Sequence, residues 1–189
     1  MLPVRWHYFY RRAIINILRM KLEQIPPMIG HLVNVVIETP RGCQNKFDYD
    51  PKLDMFRLKK TLPMGTTFPF DFGFVPNTIA QDGDPLDVFV IMDQHAFPGC
   101  LVECRLIGVL EAIQKEKNNK KERNDRLVAV TDCSILYGDI VNVKELNKNM
   151  VKEIENFFID YNKHEGKKFT PVKWASPEAA VKIIKKRSV

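Results

Sequence analysis

The chain has 189 residues, 45% of them apolar and 10% aromatic, which is the size and composition of one globular domain. No apolar run approaches the roughly 18 residues of a membrane-spanning helix. The formal net charge is +6, and residues 1–19 hold four arginines and no acid. The rest of the chain is nearly balanced, with 25 basic against 23 acidic residues, so the high charge argues little for a nucleic-acid-binding function.

Residues 1–19 allow three interpretations: an organelle-targeting segment, a basic surface helix, or a stretch upstream of a true start at Met20. The third is favoured because the recognisable domain begins soon after. We therefore predict a basic N-terminal extension over residues 1–19 and a single domain over residues 20–189.

Cysteine usage indicates a reducing compartment. The four cysteines contain no Cys-x-x-Cys pair, and no histidine lies at zinc-binding spacing from them. Cys100 and Cys104 fall in an apolar run, which predicts buried free thiols. We expect a cytoplasmic protein.

The first two thirds of the chain predict strands. Alternating or β-rich runs occur at residues 32–38, 46–50, 53–58, 88–92, 100–110 and 127–131. Phe68–Phe74 is dense in aromatic residues and is expected to be extended chain, either lining a pocket or packing in the core. Residues 115–126 form a charged loop whose outer part is expected to be a solvated hairpin tip.

The last third is predicted to be helical. Val151, Ile154, Phe158 and Tyr161 share one helix face, and Gly166 is a suitable stop. A second helix is expected to follow the Ser-Pro-Glu start at residues 176–178. Strands followed by two helices predict an α+β fold of mainly β structure, a small barrel with helices against it.

One acidic turn precedes the buried strand at residues 88–92. Asp82, Asp84 and Asp87 lie within six residues, separated by a glycine and a proline that favour a turn. Two carboxylates about 4 Å apart repel by about 4 kcal/mol at an effective dielectric near 20, and a hard divalent cation would offset this repulsion. The alternative is that the acids cap a turn and face water. An EF-hand is excluded, because Leu86 stands where an oxygen ligand belongs and Asp87 where the loop needs glycine.

The run Asp82-Gly83-Asp84-Pro85-Leu86-Asp87 resembles the signature of the soluble inorganic pyrophosphatases of family I. The resemblance extends from about Val33 to about Ala180. It implies an OB-like five-stranded β-barrel with flanking helices, two of them C-terminal. It also implies hydrolysis of inorganic pyrophosphate to two phosphates by a water that a divalent metal activates, with Mg²⁺ as cofactor and Mn²⁺ as a further candidate. The compact members form hexamers, so the resemblance implies a homo-oligomer.

The resemblance assigns roles to nine residues. It implies metal ligation by Asp82, Asp84 and Asp87, with Asp84 also the general base and Glu38 joined to the metal through water. It implies substrate binding by Lys46, Lys60, Arg126 and Tyr161, supported by Asp48. Lys46 and Asp48 share one strand face by the two-residue period, whereas core packing remains an alternative for Tyr161.

Several positions depart from the family pattern. Lys60 stands where arginine is typical, Phe68 and Phe72 stand where tyrosines are usual, and Asn162 stands where a lysine is usual. Lysine keeps the charge of arginine but loses its planar two-point grip on phosphate.

The largest departure lies beside the charged loop. Gln114 and Asn124 occupy positions where the family commonly has aspartate ligands, and Arg126 occupies a lysine position. Metal number and metal preference are therefore open. Glu122 or Asp125 compensating for the lost carboxylates is a hypothesis.

Two alternative functions remain from the sequence. A catalytically degenerate family member is consistent with the lost ligands. An OB-type oligonucleotide-binding module is consistent with a barrel and a basic loop. Three acids in one turn would repel phosphate without a bound metal, so no nucleic-acid partner is expected.

Overall fold

The computed structural model describes residues 22–189. The predictions made for residues 1–19 lie outside the described residues. Within the described part, neither helix is long and apolar enough to cross a membrane.

The described chain forms ten strands, two α-helices and two short 3₁₀ turns. The strands are β1 (Met28–Ile29), β2 (Leu32–Thr39), β3 (Asn45–Asp50), β4 (Met55–Thr61), β5 (Asp71–Val75), β6 (Leu86–Ile91), β7 (Leu101–Lys115), β8 (Lys121–Arg123), β9 (Arg126–Thr131) and β10 (Lys168–Ala175). The helices are α1 (Lys148–His164) and α2 (Pro177–Arg187), and the 3₁₀ turns are Leu22–Gln24 and Val143–Glu145.

Five strands pair in a ring, which confirms the predicted five-stranded barrel. The order is β2–β5–β6–β9–β7, and β7 returns to pair with β2. Only the β6–β9 pair is parallel within this ring. The β2–β7 pairing spans residues 33–36 against residues 101–104, a short part of the long β7. The barrel is therefore only partly closed.

The rest of β7 carries strands outside the ring. Its far end, which continues to Lys115 beyond the predicted limit at residue 110, pairs with β8 and with β10. The predicted charged loop is therefore partly a hairpin. The strands β3 and β4 form the expected separate hairpin.

The strand β10 corrects the prediction that the last third is entirely helical. It separates α1 from α2 and pairs with residues 109–115 of β7. Phe169, Val172 and Trp174 favour extended chain, and Pro171 lies at a shift in the register. Both predicted helices are confirmed, with Glu165 after the last turn of α1 and Gly166 at φ 70°.

The curved sheet is buried on both faces, as the period-2 alternation of β6 shows. Val88 and Val90 pack in the cluster that includes α2, whereas Phe89 and Ile91 pack in the cluster that includes α1. Phe68 and Phe72 also belong to the second cluster and are 1% and 5% exposed, so core packing accounts for both. We call this second cluster the aromatic core.

Gly73 is required where β5 pairs with β2. A Cβ added at Gly73 would lie 2.1 Å from the backbone oxygen of Val36, which cannot move without opening the pair of strands.

We expect Gly73→Ala to destabilise the protein by about 3 kcal/mol and to lower Tm by about 6–12 °C in a thermal melt. Gly30→Ala is the comparison, because its Cβ meets nothing within 4 Å and its cost is limited to about 1–2 kcal/mol for alanine at the left-handed φ of 61°. Equal melting temperatures for the two variants would contradict this account.

Candidate active site

The acidic turn, residues 82–87, leads directly into β6. Asp82 Oδ1 accepts a hydrogen bond from the Asp84 amide at 3.2 Å, and the Ala80 amide donates to the Asp84 carbonyl at 2.7 Å. Gly83 adopts φ 92°, the left-handed conformation that glycine allows. Asp82 and Asp84 are exposed, whereas Asp87 lies within β6 and is half-buried.

The three carboxylates of the acidic turn influence one another. Burial raises the pKa of Asp87, and Asp82 and Asp84 raise it further against the attraction of Arg126. Burial and then Asp82 raise the pKa of Asp84. Their oxygen donors suit a hard divalent cation. Among the described residues, however, no three acidic, histidine or cysteine side chains already converge as a metal-binding group.

A second charged group centres on Lys46 of β3, which is 7% exposed. Its Nζ donates to Glu38 Oε2 at 2.7 Å, to Asp48 Oδ1 at 2.8 Å and to the Phe47 carbonyl at 2.7 Å. These three acceptors match the three protons of the amine. Burial opposes the charge, but the attraction of Glu38 and Asp48 outweighs it and raises the pKa of Lys46. Lys46 is therefore a fixed cation, and Asp48 shares its strand face as expected.

Lys60 of β4 lies opposite Lys46 in the hairpin register and contacts α1. Its Nζ lies 3.9 Å from the centre of the Tyr161 ring and forms an ion pair with Glu165. Burial and the positive charge of Lys46 nevertheless lower the pKa of Lys60 to about 8. Tyr161 packs against Phe68, with ring centres 6.0 Å apart.

The charges around Lys46 and those around Asp87 both influence the Tyr161 hydroxyl. Burial raises its pKa to about 12, so the hydroxyl is neutral at pH 7. Its pKa responds to the charges of Lys46, Asp87, Asp48 and Arg126. The side chains of Lys46, Asp87, Asp48 and Arg126 therefore all lie close enough to Tyr161 to act on its hydroxyl.

Arg126, the first residue of β9, pairs with the acidic turn from inside the protein. Its Nη1 lies 2.6 Å from Asp87 Oδ2, and its guanidinium carbon lies 5.1 Å from the centre of the Phe158 ring. Arg126 is 7% exposed, and its Nε has no hydrogen-bond partner among the described residues. This Nε is therefore a buried donor without an acceptor in the described part of the chain, which is rare in native structures.

Two amides extend from Arg126 along the wall of the site. Arg126 Nη1 donates to Asn124 Oδ1, and Asn124 Nδ2 donates to Gln114 Oε1 at 3.1 Å. Gln114 Nε2 donates to Glu116 at 2.5 Å, and Glu116 pairs with Lys167 at 3.1 Å. The two family aspartate positions are thus occupied by neutral side chains that bond each other and Arg126.

The acids proposed as substitutes are engaged elsewhere. Asp125 accepts from the Ala112 amide at 3.2 Å and from Arg123 Nε at 2.7 Å. Glu122 pairs with Lys120 at the hairpin. Each of these carboxylates therefore already has a cationic partner.

Asn162, at the usual lysine position, does not enter the site. It is 2% exposed and donates to the Phe158 carbonyl at 2.9 Å within α1. Lys163, the next residue, is exposed. The site therefore lacks that cation.

Sequence reasoning missed two charged residues of the site. Glu165 pairs with Lys60, and its position four residues after Tyr161 places it on the same helix face. Lys59 pairs with Asp48 at 2.9 Å. The spacing of four residues from Tyr161 could have indicated Glu165. The sequence carries no such signal for Lys59, because its contact with Asp48 depends on how the two strands of the hairpin pair.

Comparison with known proteins gives one consistent family. A family model described as inorganic pyrophosphatase matches residues 35–188. The inorganic pyrophosphatase of Synechocystis is 36% identical over 167 residues, covering 87% of this chain and 95% of that protein. The enzyme of Geobacillus stearothermophilus is 34% identical over 153 residues, covering 81% and 90%.

A solved structure shows the same architecture. The crystal structure of inorganic pyrophosphatase from Thermus thermophilus superposes with a TM-score of 0.79 at 29% identity, covering 88% of this chain and 95% of that one. The family model, the relatives and this structure all carry the name inorganic pyrophosphatase. The chain therefore belongs to the inorganic pyrophosphatase family.

Proposed function

We propose that this protein hydrolyses inorganic pyrophosphate to two phosphates with the help of Mg²⁺, or alternatively Mn²⁺. The observation that carries the proposal is the placement of the buried cations Lys46 and Arg126 close to Tyr161, beside an acidic turn in which Asp82 and Asp84 form no ion pair among the described residues, in a member of this family. Unpaired acids suit a divalent cation, and fixed cations suit the oxygens of a polyanion.

Asp82, Asp84 and Asp87 would hold the cation, with Glu38 joined through water. The first two form no ion pair among the described residues, which leaves their oxygens available. A bound divalent cation would lower the pKa of a water toward about 7 and screen the phosphate charges. The donor chemistry fits, although the carboxylates are not preassembled.

Lys46, Lys60, Arg126 and Tyr161 would bind the phosphate groups. Lys46 and Arg126 are held by neighbouring side chains, so little freedom remains to be lost on binding. The Nε of Arg126 would gain its missing acceptor. The neutral Tyr161 hydroxyl would donate a hydrogen bond without repelling the anion.

Asp84 is the proposed general base. It is exposed, has no cationic partner in the described part of the chain, and is therefore free to take a proton from the attacking water. Asp48, already paired with Lys46 and Lys59, would support the site rather than accept the proton.

We also propose a cytoplasmic homo-oligomer, a hexamer by resemblance to the compact members of the family. Four free cysteines agree with a reducing compartment. Ile135 and Leu136 are 89% and 73% exposed and offer apolar surface for a subunit contact.

Phosphate release from pyrophosphate tests the proposed function. We expect turnover that rises with Mg²⁺ and disappears with a chelator. The control is the same protein with the chelator and then excess Mg²⁺, which should restore turnover. Absence of release with Mg²⁺, Mn²⁺, Zn²⁺ and Co²⁺ would favour the catalytically degenerate alternative.

Asp84→Asn tests the general base. We expect the variant to fold and kcat to fall by about 10²-fold or more, because the amide cannot take a proton. Asp160→Asn, an exposed aspartate on α1, serves as the matched control. Turnover of Asp84→Asn within a few-fold of the parent protein would remove Asp84 from this role.

The lowered pKa of Lys60 predicts that kcat/KM depends on pH. Because its pKa is lowered to about 8, the amine is charged below this pH and neutral above it. We expect kcat/KM to fall up to about tenfold for each pH unit above about 8, since kcat/KM reports the free enzyme. Lys60→Arg should remain charged and move this limb upward. Lys59→Arg is the matched control in the same hairpin, and an unmoved limb in Lys60→Arg would assign the pH dependence to another group.

A further inference from the structure

The wall of the site next to Asp87 contains a guanidinium and two amides. Gln114, Asn124 and Arg126 are 7%, 8% and 7% exposed. The Nη1 of Arg126 donates to Asn124 Oδ1, and the same nitrogen lies 2.6 Å from Asp87 Oδ2. Asn124 is in turn bonded to Gln114 at 3.1 Å. This continuous chain fixes the guanidinium against Asp87.

We propose that Gln114 and Asn124 hold Arg126 as a built-in cation, so that each chain binds a single divalent cation before pyrophosphate arrives. The inference deepens the proposed function and rests on the acidic turn being the metal-binding element. Gln114 and Asn124 are positioning residues in this account, because they act through Arg126.

The charges of the described residues support one divalent cation. Glu116 pairs with Lys167 at 3.1 Å, and Asp125 pairs with Arg123 at 2.7 Å. Glu122 pairs with Lys120. The carboxylates of this hairpin are therefore already neutralised.

The acidic turn has two carboxylates left over. Asp87 is neutralised by Arg126, whereas Asp82 and Asp84 form no ion pair within the described residues. Their two negative charges match one divalent cation. A second cation near Arg126 would meet a fixed positive charge and two neutral amides, and like charges in a partly buried site repel strongly.

Arg126 also has unused capacity to bind an anion. Its Nε is buried and lacks a partner among the described residues. The guanidinium is held over the Phe158 ring at 5.1 Å, so it cannot easily swing into water. An oxygen of phosphate or pyrophosphate would satisfy the Nε, and Arg126 would then supply charge that a second metal ion would otherwise carry.

The test counts Mn²⁺ bound to the full chain without substrate, from the electron paramagnetic resonance signal of free Mn²⁺. We expect one Mn²⁺ per chain for the parent protein. The double variant Gln114→Asp with Asn124→Asp adds two negative charges beside Asp87. We expect it to bind two Mn²⁺ per chain.

The matched control changes acids on the same hairpin that already have cationic partners. Glu122→Gln with Asp125→Asn should leave the count at one and the Mn²⁺ affinity within about threefold. A lower count in this control would show that one of these acids is a ligand and would overturn the proposal. Circular dichroism establishes that each variant is folded.

The proposal would also be overturned if the parent protein bound no Mn²⁺, or two or more Mn²⁺ per chain. It would likewise be overturned if the folded double variant still bound one Mn²⁺ per chain. The parent count needs no variant to fold. Because the counts are made without turnover, loss of the proposed pyrophosphate hydrolysis in a separate assay would leave a single bound Mn²⁺ standing as its own result.

Discussion

The ion pair between Asp87 and Arg126 joins the acidic turn to the interior of the barrel. The two residues lie at the start of β6 and β9, the parallel pair in which Val88 stands opposite Leu127. This register brings the carboxylate and the guanidinium together. Removing one partner of a buried pair leaves an uncompensated charge and typically costs about 3–5 kcal/mol. The pair therefore anchors the end of the acidic turn that also contains the exposed Asp82 and Asp84.

The cations of this site are held in fixed positions, whereas two of its carboxylates are exposed. Lys46 has three acceptors and Arg126 is held by Asp87 and Asn124, so both positive charges have fixed positions. Asp82 and Asp84 instead remain exposed. Fixed donors bind a polyanion with little reorganisation, and free carboxylates can adjust to the coordination geometry of a small cation.

The departures from the family pattern are accommodated by apolar packing. Phe68 and Phe72 lie in the aromatic core, where Phe68 contacts Tyr161 and Phe72 lies 4.9 Å from the Lys46 amine. Asn162 bonds its own helix. Phe68 and Phe72 thus place apolar rings beside Tyr161 and Lys46, and charges interact more strongly in apolar surroundings. The same replacements remove donors that phosphate could use, so Lys60 and Arg126 carry more of the proposed binding.

The sequence alone determined the features that depend on near neighbours in the chain. The acidic turn, the buried strand at Val88–Ile91 and the helix start at Ser176 follow from local spacing and were predicted correctly. The strand β10 was missed because it is stabilised by the distant end of β7. The contacts of Lys60 with Glu165 and of Asn124 with Gln114 and Arg126 likewise required the structure. Only tertiary structure could decide them, because strand register and closure of the barrel place side chains together that no spacing in the sequence relates.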